Sequence, residues 1–140
     1  MKTWPLHFSA WVISLVATLG SLFLSEVMGL PPCSLCWYQR ICMYPLVLIL
    51  AVPVLSDKEK ENVFTFSFPL TILGWVISLY HNLLYYKILP ESAAPCRQGI
   101  SCTSFHFEWM GFVTIPLLSF TAFTLISLLL LLTRKVPHET

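Results

Sequence analysis

Long apolar runs separated by short polar segments dominate the chain. Pro5–Ser25 and Val63–Tyr86 contain no Asp, Glu, Lys or Arg, and neither does Gly111–Leu132. Ile41–Leu55 is charge-free for 15 residues, and a helix that begins at Trp37 reaches 19. A helix needs about 20 apolar residues to cross a hydrocarbon core about 30 Å thick. The runs therefore predict four spans, near residues 5–25, 37–55, 63–86 and 111–132, within one membrane domain covering residues 1–140. In lipid the backbone must satisfy its own hydrogen bonds, so each span is expected to be helical. Barrel-type alternation is absent. Pro45, Pro53, Pro69 and Pro116 are expected near helix ends or at local kinks, which membrane helices tolerate. Short connections make sequential helices antiparallel. The predicted fold is all-α, an integral membrane antiparallel four-helix bundle.

The first run could be misread as a signal peptide. Its apolar stretch exceeds the roughly 7–15 residues of a signal core, and no A-x-A site follows it, so a retained helix is expected. Composition agrees with a membrane class: 56% of residues are hydrophobic and 11% charged. That is less than half the usual charged share of about a quarter. The net charge is +1 with no basic run, so nothing points to nucleic acid.

Lysine and arginine set the expected orientation. Lys2, Lys58, Lys60, Arg134 and Lys135 flank one set of helix ends, whereas Arg40, Lys87 and Arg97 flank the other. The bias puts both termini and the Ser56–Asn62 turn in the cytoplasm. Glu26–Gln39 and Lys87–Met110 then face outward, in a multi-pass protein of a bacterial cell membrane.

Four of the five cysteines fall in those outward segments. Disulfides persist on that side of a membrane. Cys33 and Cys36 form C-S-L-C, and Cys96 and Cys102 form C-R-Q-G-I-S-C. Pro31 and Pro32 stop the preceding chain from being helical, so a helix is expected to begin near Cys33 to Cys36. A helix N-terminus and a nearby cation both favour thiolate. Arg40 lies four residues after Cys36 and shares its helix face. An arginine at the membrane rim is a functional candidate by default. The pair reads as redox-active, and the alternative is a structural disulfide beside a snorkelling arginine.

Pro95 and Gly99 suit a tight exposed turn around the second pair. A bridge there closes a small loop and adds relatively little stability. It reads as a bridge open to attack, with a loop staple as the alternative. A third reading joins the four outward thiols in a zinc centre. Arg40 and Arg97 would add positive charge where the ion must sit, and no metal is expected. His81 is expected at the depth of Arg40, where it could hydrogen-bond a carbonyl, relay a proton or pack as a satisfied polar residue. His7 and His106 show no partner in the sequence. Cys42 reads as a buried, small apolar residue. Trp4, Trp37, Tyr38, Tyr85, Tyr86 and Trp109 read as an interfacial belt, and Trp37 and Tyr38 could also flank a flat ring.

The string P-P-C-S-L-C-W-Y-Q-R, Pro31 to Arg40, resembles the signature of the DsbB family of membrane disulfide-bond formation proteins, in particular its compact Gram-positive branch, BdbC. The likeness extends to four spans, a second outer cysteine pair, and Trp109-Met-Gly-Phe followed by Pro116. The resemblance implies a quinone-dependent thiol:disulfide oxidoreductase that reoxidises an extracytoplasmic, DsbA-like thioredoxin-fold dithiol oxidase. The carrier would be a membrane quinone, either ubiquinone or menaquinone. By the same resemblance, Cys96 takes the partner's thiolate attack and Cys102 is its bridge partner. Cys33 and Cys36 then reoxidise that bridge. Cys36 is the thiolate facing the quinone, Arg40 lies beside a ring carbonyl, and His81 falls near a third-helix histidine of the family. One departure stands out: only five residues separate Cys96 from Cys102, where well-known members carry a much longer segment. The handover between pairs therefore needs a shorter motion. Two other readings compete. One is a thiol-based metal-binding or assembly-factor membrane protein. The other is an enzyme like vitamin K epoxide reductase, whose C-x-x-C sits late in the chain rather than early.

Overall fold

A computed structural model of the chain describes residues 3–56, 60–94 and 114–136. Four long helices account for most of them: α1 (Trp4–Leu22), α2 (Ser34–Leu55), α3 (Lys60–Tyr85) and α4 (Ile115–Lys135). No strand occurs among the described residues. Each helix is long and apolar enough to cross a membrane, α1 counting together with the π-helical turn Phe23–Val27 that continues it. Pro5 and Pro116 sit in the first turns of α1 and α4, where a missing N–H costs nothing. Pro45, Pro53 and Pro69 lie inside α2 and α3, and each removes one backbone bond there.

The helices pack in a ring, each touching its two neighbours: α1 on α2, α2 on α3, α3 on α4, and α4 back on α1. Contacts between helix ends fix the directions. Trp4 at the start of α1 reaches the Val54 carbonyl at the end of α2, while Arg40 near the start of α2 reaches Ser21 near the end of α1. Asn82 near the end of α3 donates to the Pro116 carbonyl at the start of α4, and Arg134 at the end of α4 lies over Phe64 near the start of α3. His81, late in α3, meets Gln39, early in α2. Sequential helices are thus antiparallel, as the short connections predict.

The core follows from helical spacing. In α2 the buried positions Leu35, Gln39, Cys42, Met43, Leu46 and Leu50 recur at three- and four-residue intervals, and α4 repeats this with Ala122, Phe123, Ile126, Leu130 and Thr133. Gly74 of α3 is a close-approach site, because a Cβ there would overlap the Phe123 ring. Small residues at such crossings let membrane helices pack tightly. Buried hydroxyls stay within their own helices: Ser67 donates to Val63 O at 2.6 Å and Thr71 to Ser67 O at 2.7 Å. The outer surface is apolar, with Leu48 at 74% exposure, Phe66 at 67% and Val16 at 63%. Such a belt of bare side chains belongs in lipid, since water-facing helices carry polar residues there.

Candidate functional site

The two prolines and one glycine position the first cysteine pair. The π-helical turn is capped by Met28 and followed by Gly29, whose φ of +65° is a left-handed conformation that glycine takes at no cost. Pro31 and Pro32 hold the next stretch extended. Cys33 then becomes the N-cap of α2, with φ −74° and ψ 171°, and its carbonyl accepts from Trp37 N at 3.1 Å. The helix therefore starts at Ser34, three residues before Trp37, and Cys36 sits in its first turn. Both sulfurs lie at the positive end of the α2 dipole.

The Cys33 and Cys36 sulfurs are 3.0 Å apart, as free thiols. His81 of α3 brings its Nε2 to 3.9 Å from Cys33 Sγ. Gln39, one turn after Cys36, is 3.1 Å from the other ring nitrogen of His81 through its Nε2. Ser119 of α4 donates to Gln39 Oε1 at 2.7 Å. Cys33 is buried, as are His81 and Gln39. The hydrogen bond from the Cys36 thiol is the largest influence on Cys33, and His81 adds to it. Together they outweigh burial and hold the Cys33 thiol well below the usual cysteine range. The surroundings of Cys33 thus favour its thiolate.

Arg40 is anchored on α1. Its Nε donates to Ser21 Oγ at 2.7 Å and its Nη2 to Ser21 O at 2.8 Å, with the guanidinium 5.5 Å from the Trp37 ring centroid. Ser21 lies just before the π-helical turn, whose wider i→i+5 pitch is seen in the bond from Met28 N to Phe23 O. Such turns change which carbonyls remain in the helix ladder, and they recur at functional sites. A cavity of about 670 Å³ runs along α1 and α4 and ends at Cys33, Cys36, Gln39, Arg40 and His81. The rest of its wall is mostly apolar.

The structure brings together Cys33, Cys36, Arg40 and His81 of the residues singled out by sequence. Cys96 and Cys102 lie outside the described residues, as do Arg97, His106 and Trp109. Cys42 is buried in the main core, away from the pair's own apolar cluster. His7, without a visible partner in sequence, places its Nδ1 2.9 Å from the Thr3 carbonyl. Trp37 and Tyr38 are about half exposed on the outer surface, and the aromatic side chains lining the cavity are instead Tyr44, Tyr85 and two phenylalanines. Sequence reasoning missed Ser21, Gln39 and Ser119. For Gln39 a signal was present: a polar amide at the mouth of a span needs a buried partner.

Cys33, Cys36 and His81 also present three ligand atoms within 4.8 Å of one another. The Arg40 charge lines the same cavity and opposes a dication there.

The family model for disulfide bond formation protein DsbB matches residues 3–133. The chain belongs to the DsbB family. It is 40% identical over 132 residues to "Disulfide bond formation protein C" of Bacillus subtilis (strain 168), covering 94% of each chain. It is 45% identical over 125 residues to "Probable disulfide formation protein C" of Halalkalibacterium halodurans, covering 89% of this chain and 90% of the other. A "Probable disulfide formation protein" of Metapseudomonas resinovorans is 38% identical over 134 residues, covering 95% and 92%. No solved structure matches the chain. Membership in the DsbB family, with four helices able to span a bilayer, supports a multi-pass cell-membrane protein with a thiol:disulfide oxidoreductase role in disulfide formation.

Proposed function

We propose that the chain reoxidises an extracytoplasmic, DsbA-like thioredoxin-fold dithiol oxidase, passing electrons from Cys96–Cys102 to Cys33–Cys36 and on to a membrane quinone. Both termini are cytoplasmic in this reading and both cysteine pairs face outward. The observation that carries it is the junction of an apolar cavity with a close dithiol and an arginine, at one end of a bundle built for lipid. A volume of about 670 Å³ falls within the range of small-molecule and cofactor sites. Cys36, Arg40 and His81 would hold a quinone head group there, with Arg40 as a hydrogen-bond donor. When bound, a quinone supplies an acceptor for two electrons and two protons.

The chain's own residues do the thiol chemistry. A partner thiolate attacks Cys96, breaks the Cys96–Cys102 bridge and leaves Cys102 as the departing thiolate. The second partner thiolate then releases Cys96 and completes the partner's disulfide. The resulting Cys96–Cys102 dithiol attacks the Cys33–Cys36 disulfide in the same two-step fashion and leaves that pair reduced. Pre-organisation near the α2 N-terminus keeps one sulfur of the reduced pair ionised.

The test mixes purified protein, reduced thioredoxin-fold partner and quinone, and follows the absorbance of oxidised quinone. Partner-dependent loss of that absorbance is expected. Its absence, together with stoichiometric zinc or copper that frees thiols on chelation, would favour the metal-binding reading.

A further inference from the structure

We propose that Gln39 and Ser119 form a positioning chain that fixes the tautomer of His81 and so aims its Nε2–H at the Cys33 sulfur. The inference rests on reading Cys33–Cys36 as the redox pair. Neither Gln39 nor Ser119 touches a sulfur, and both act through His81.

The directions follow from donor chemistry. The Ser119 hydroxyl has one proton and two acceptors in reach, Gln39 Oε1 at 2.7 Å and Pro116 O at 3.1 Å. The shorter contact has the length of a good O–H···O bond. A hydroxyl proton spent on Oε1 fixes the carbonyl end of the Gln39 amide toward α4. The amide nitrogen then faces His81 Nδ1, at 3.1 Å, and donates to it. A ring nitrogen that accepts carries no proton, so the neutral imidazole holds its proton on Nε2. That nitrogen is 3.9 Å from Cys33 Sγ. Gln39, at 7% exposure, and His81, at 2%, are both buried, so solvent does not compete for the bond between them, and Ser119 is part-buried at the cavity wall.

The chain gives the two sulfurs different neighbours. Cys33 receives Nε2–H from α3, a donor that supports its negative charge. Cys36 instead lies four residues before Arg40, on the same face of α2 as that cation. A pair of chemically identical thiols thereby becomes directional. The opposite arrangement would turn the Gln39 amide over, accept a proton from His81 Nδ1, and present a bare Nε2 to the sulfur. Ser119 would then donate to Pro116 O. The two arrangements differ in which ring nitrogen carries the proton, which is measurable.

The experiment uses the full chain in lipid nanodiscs, dithiol-reduced, with ¹⁵N-labelled histidine. Among the four histidines the His81 ring signals are assigned by their loss in His81→Ala. The expected result is a protonated Nε2 and an unprotonated Nδ1 on His81. Gln39→Leu is expected to mix the tautomers and to slow iodoacetamide alkylation of Cys33 at pH 6 by at least about threefold. Ser119→Ala is a smaller change that reports the same chain from its far end, with a weaker shift of the same sign. A protonated Nδ1 in the parent overturns the proposal, as do unchanged tautomer and alkylation in both variants. The ring signals are read without quinone or partner, so failure of the oxidase reading would show separately, as missing quinone turnover in the parent.

Discussion

At the residue scale, the site depends on where one negative charge rests. The Cys36 thiol and His81 both favour it on Cys33, against the cost of burial. A free thiol ionises near pH 8.5, and only the thiolate is nucleophilic. The folded-state value is lowered, so the thiolate population persists as pH falls below 8.5 and is lost only further down. Alkylation of Cys33 in the reduced protein, followed site by site by mass spectrometry, is therefore expected to stay fast at pH 6. A midpoint near 8.5 would contradict the assignment of the charge. Arg40 belongs to the cavity side. Arg40→Ala is expected to slow quinone reduction by about tenfold or more, the scale of one lost charged hydrogen bond, while both disulfides still form. Unchanged turnover would remove Arg40 from the chemistry. The cysteine motif and the four-residue step to Arg40 were legible because both are local. Gln39, His81 and Ser119 were not legible as a unit, because α2, α3 and α4 meet only through packing.

At the element scale, the end of α1 and the crossing of α3 with α4 carry distinct tasks. Ser21, at the α-to-π junction, supplies both a hydroxyl and a carbonyl to Arg40. Ser21→Ala removes the hydroxyl and keeps the carbonyl, so its loss of turnover is expected to fall between those of the parent and Arg40→Ala. Turnover equal to the parent would show that the anchor is dispensable. A π-helical turn leaves no compositional mark, which is why the apolar run Pro5–Ser25 gave no hint of it. Gly74 tests packing alone. Gly74→Ala forces a methyl group into the Phe123 ring, an overpacking that costs about 1–3 kcal/mol. Lower thermal stability in detergent is expected, and unaltered stability would mean that the α3–α4 crossing yields freely.

At the scale of the whole molecule, the lipid makes the fold easy to read. A bilayer excludes backbone that cannot satisfy itself, so long charge-free runs leave helices as the answer. The antiparallel ring then followed from short connections. The start of α2 was legible from Pro31 and Pro32, since the helix begins at Ser34 with Cys33 as its N-cap, although the charge-free run begins only at Ile41. The proposed orientation makes its own demand: a membrane-impermeant thiol reagent should label Cys96 and Cys102 in intact, reductant-treated cells. Labelling only after permeabilisation would invert the topology. The handover from partner to quinone crosses the full molecule, and Cys102→Ala is expected to trap the partner on Cys96 as a mixed disulfide. An adduct on Cys33 would reverse the order of the two pairs.

The most direct measurement is a single turnover without the partner. Fully reduced protein in lipid is mixed anaerobically with oxidised quinone, and thiols at Cys33 and Cys36 are counted by differential alkylation. Loss of both thiols, one pair per quinone reduced, is the expected result, with no loss in Cys36→Ser. Persistence of both thiols in the presence of excess quinone would contradict electron transfer from this dithiol to a lipid-dissolved carrier.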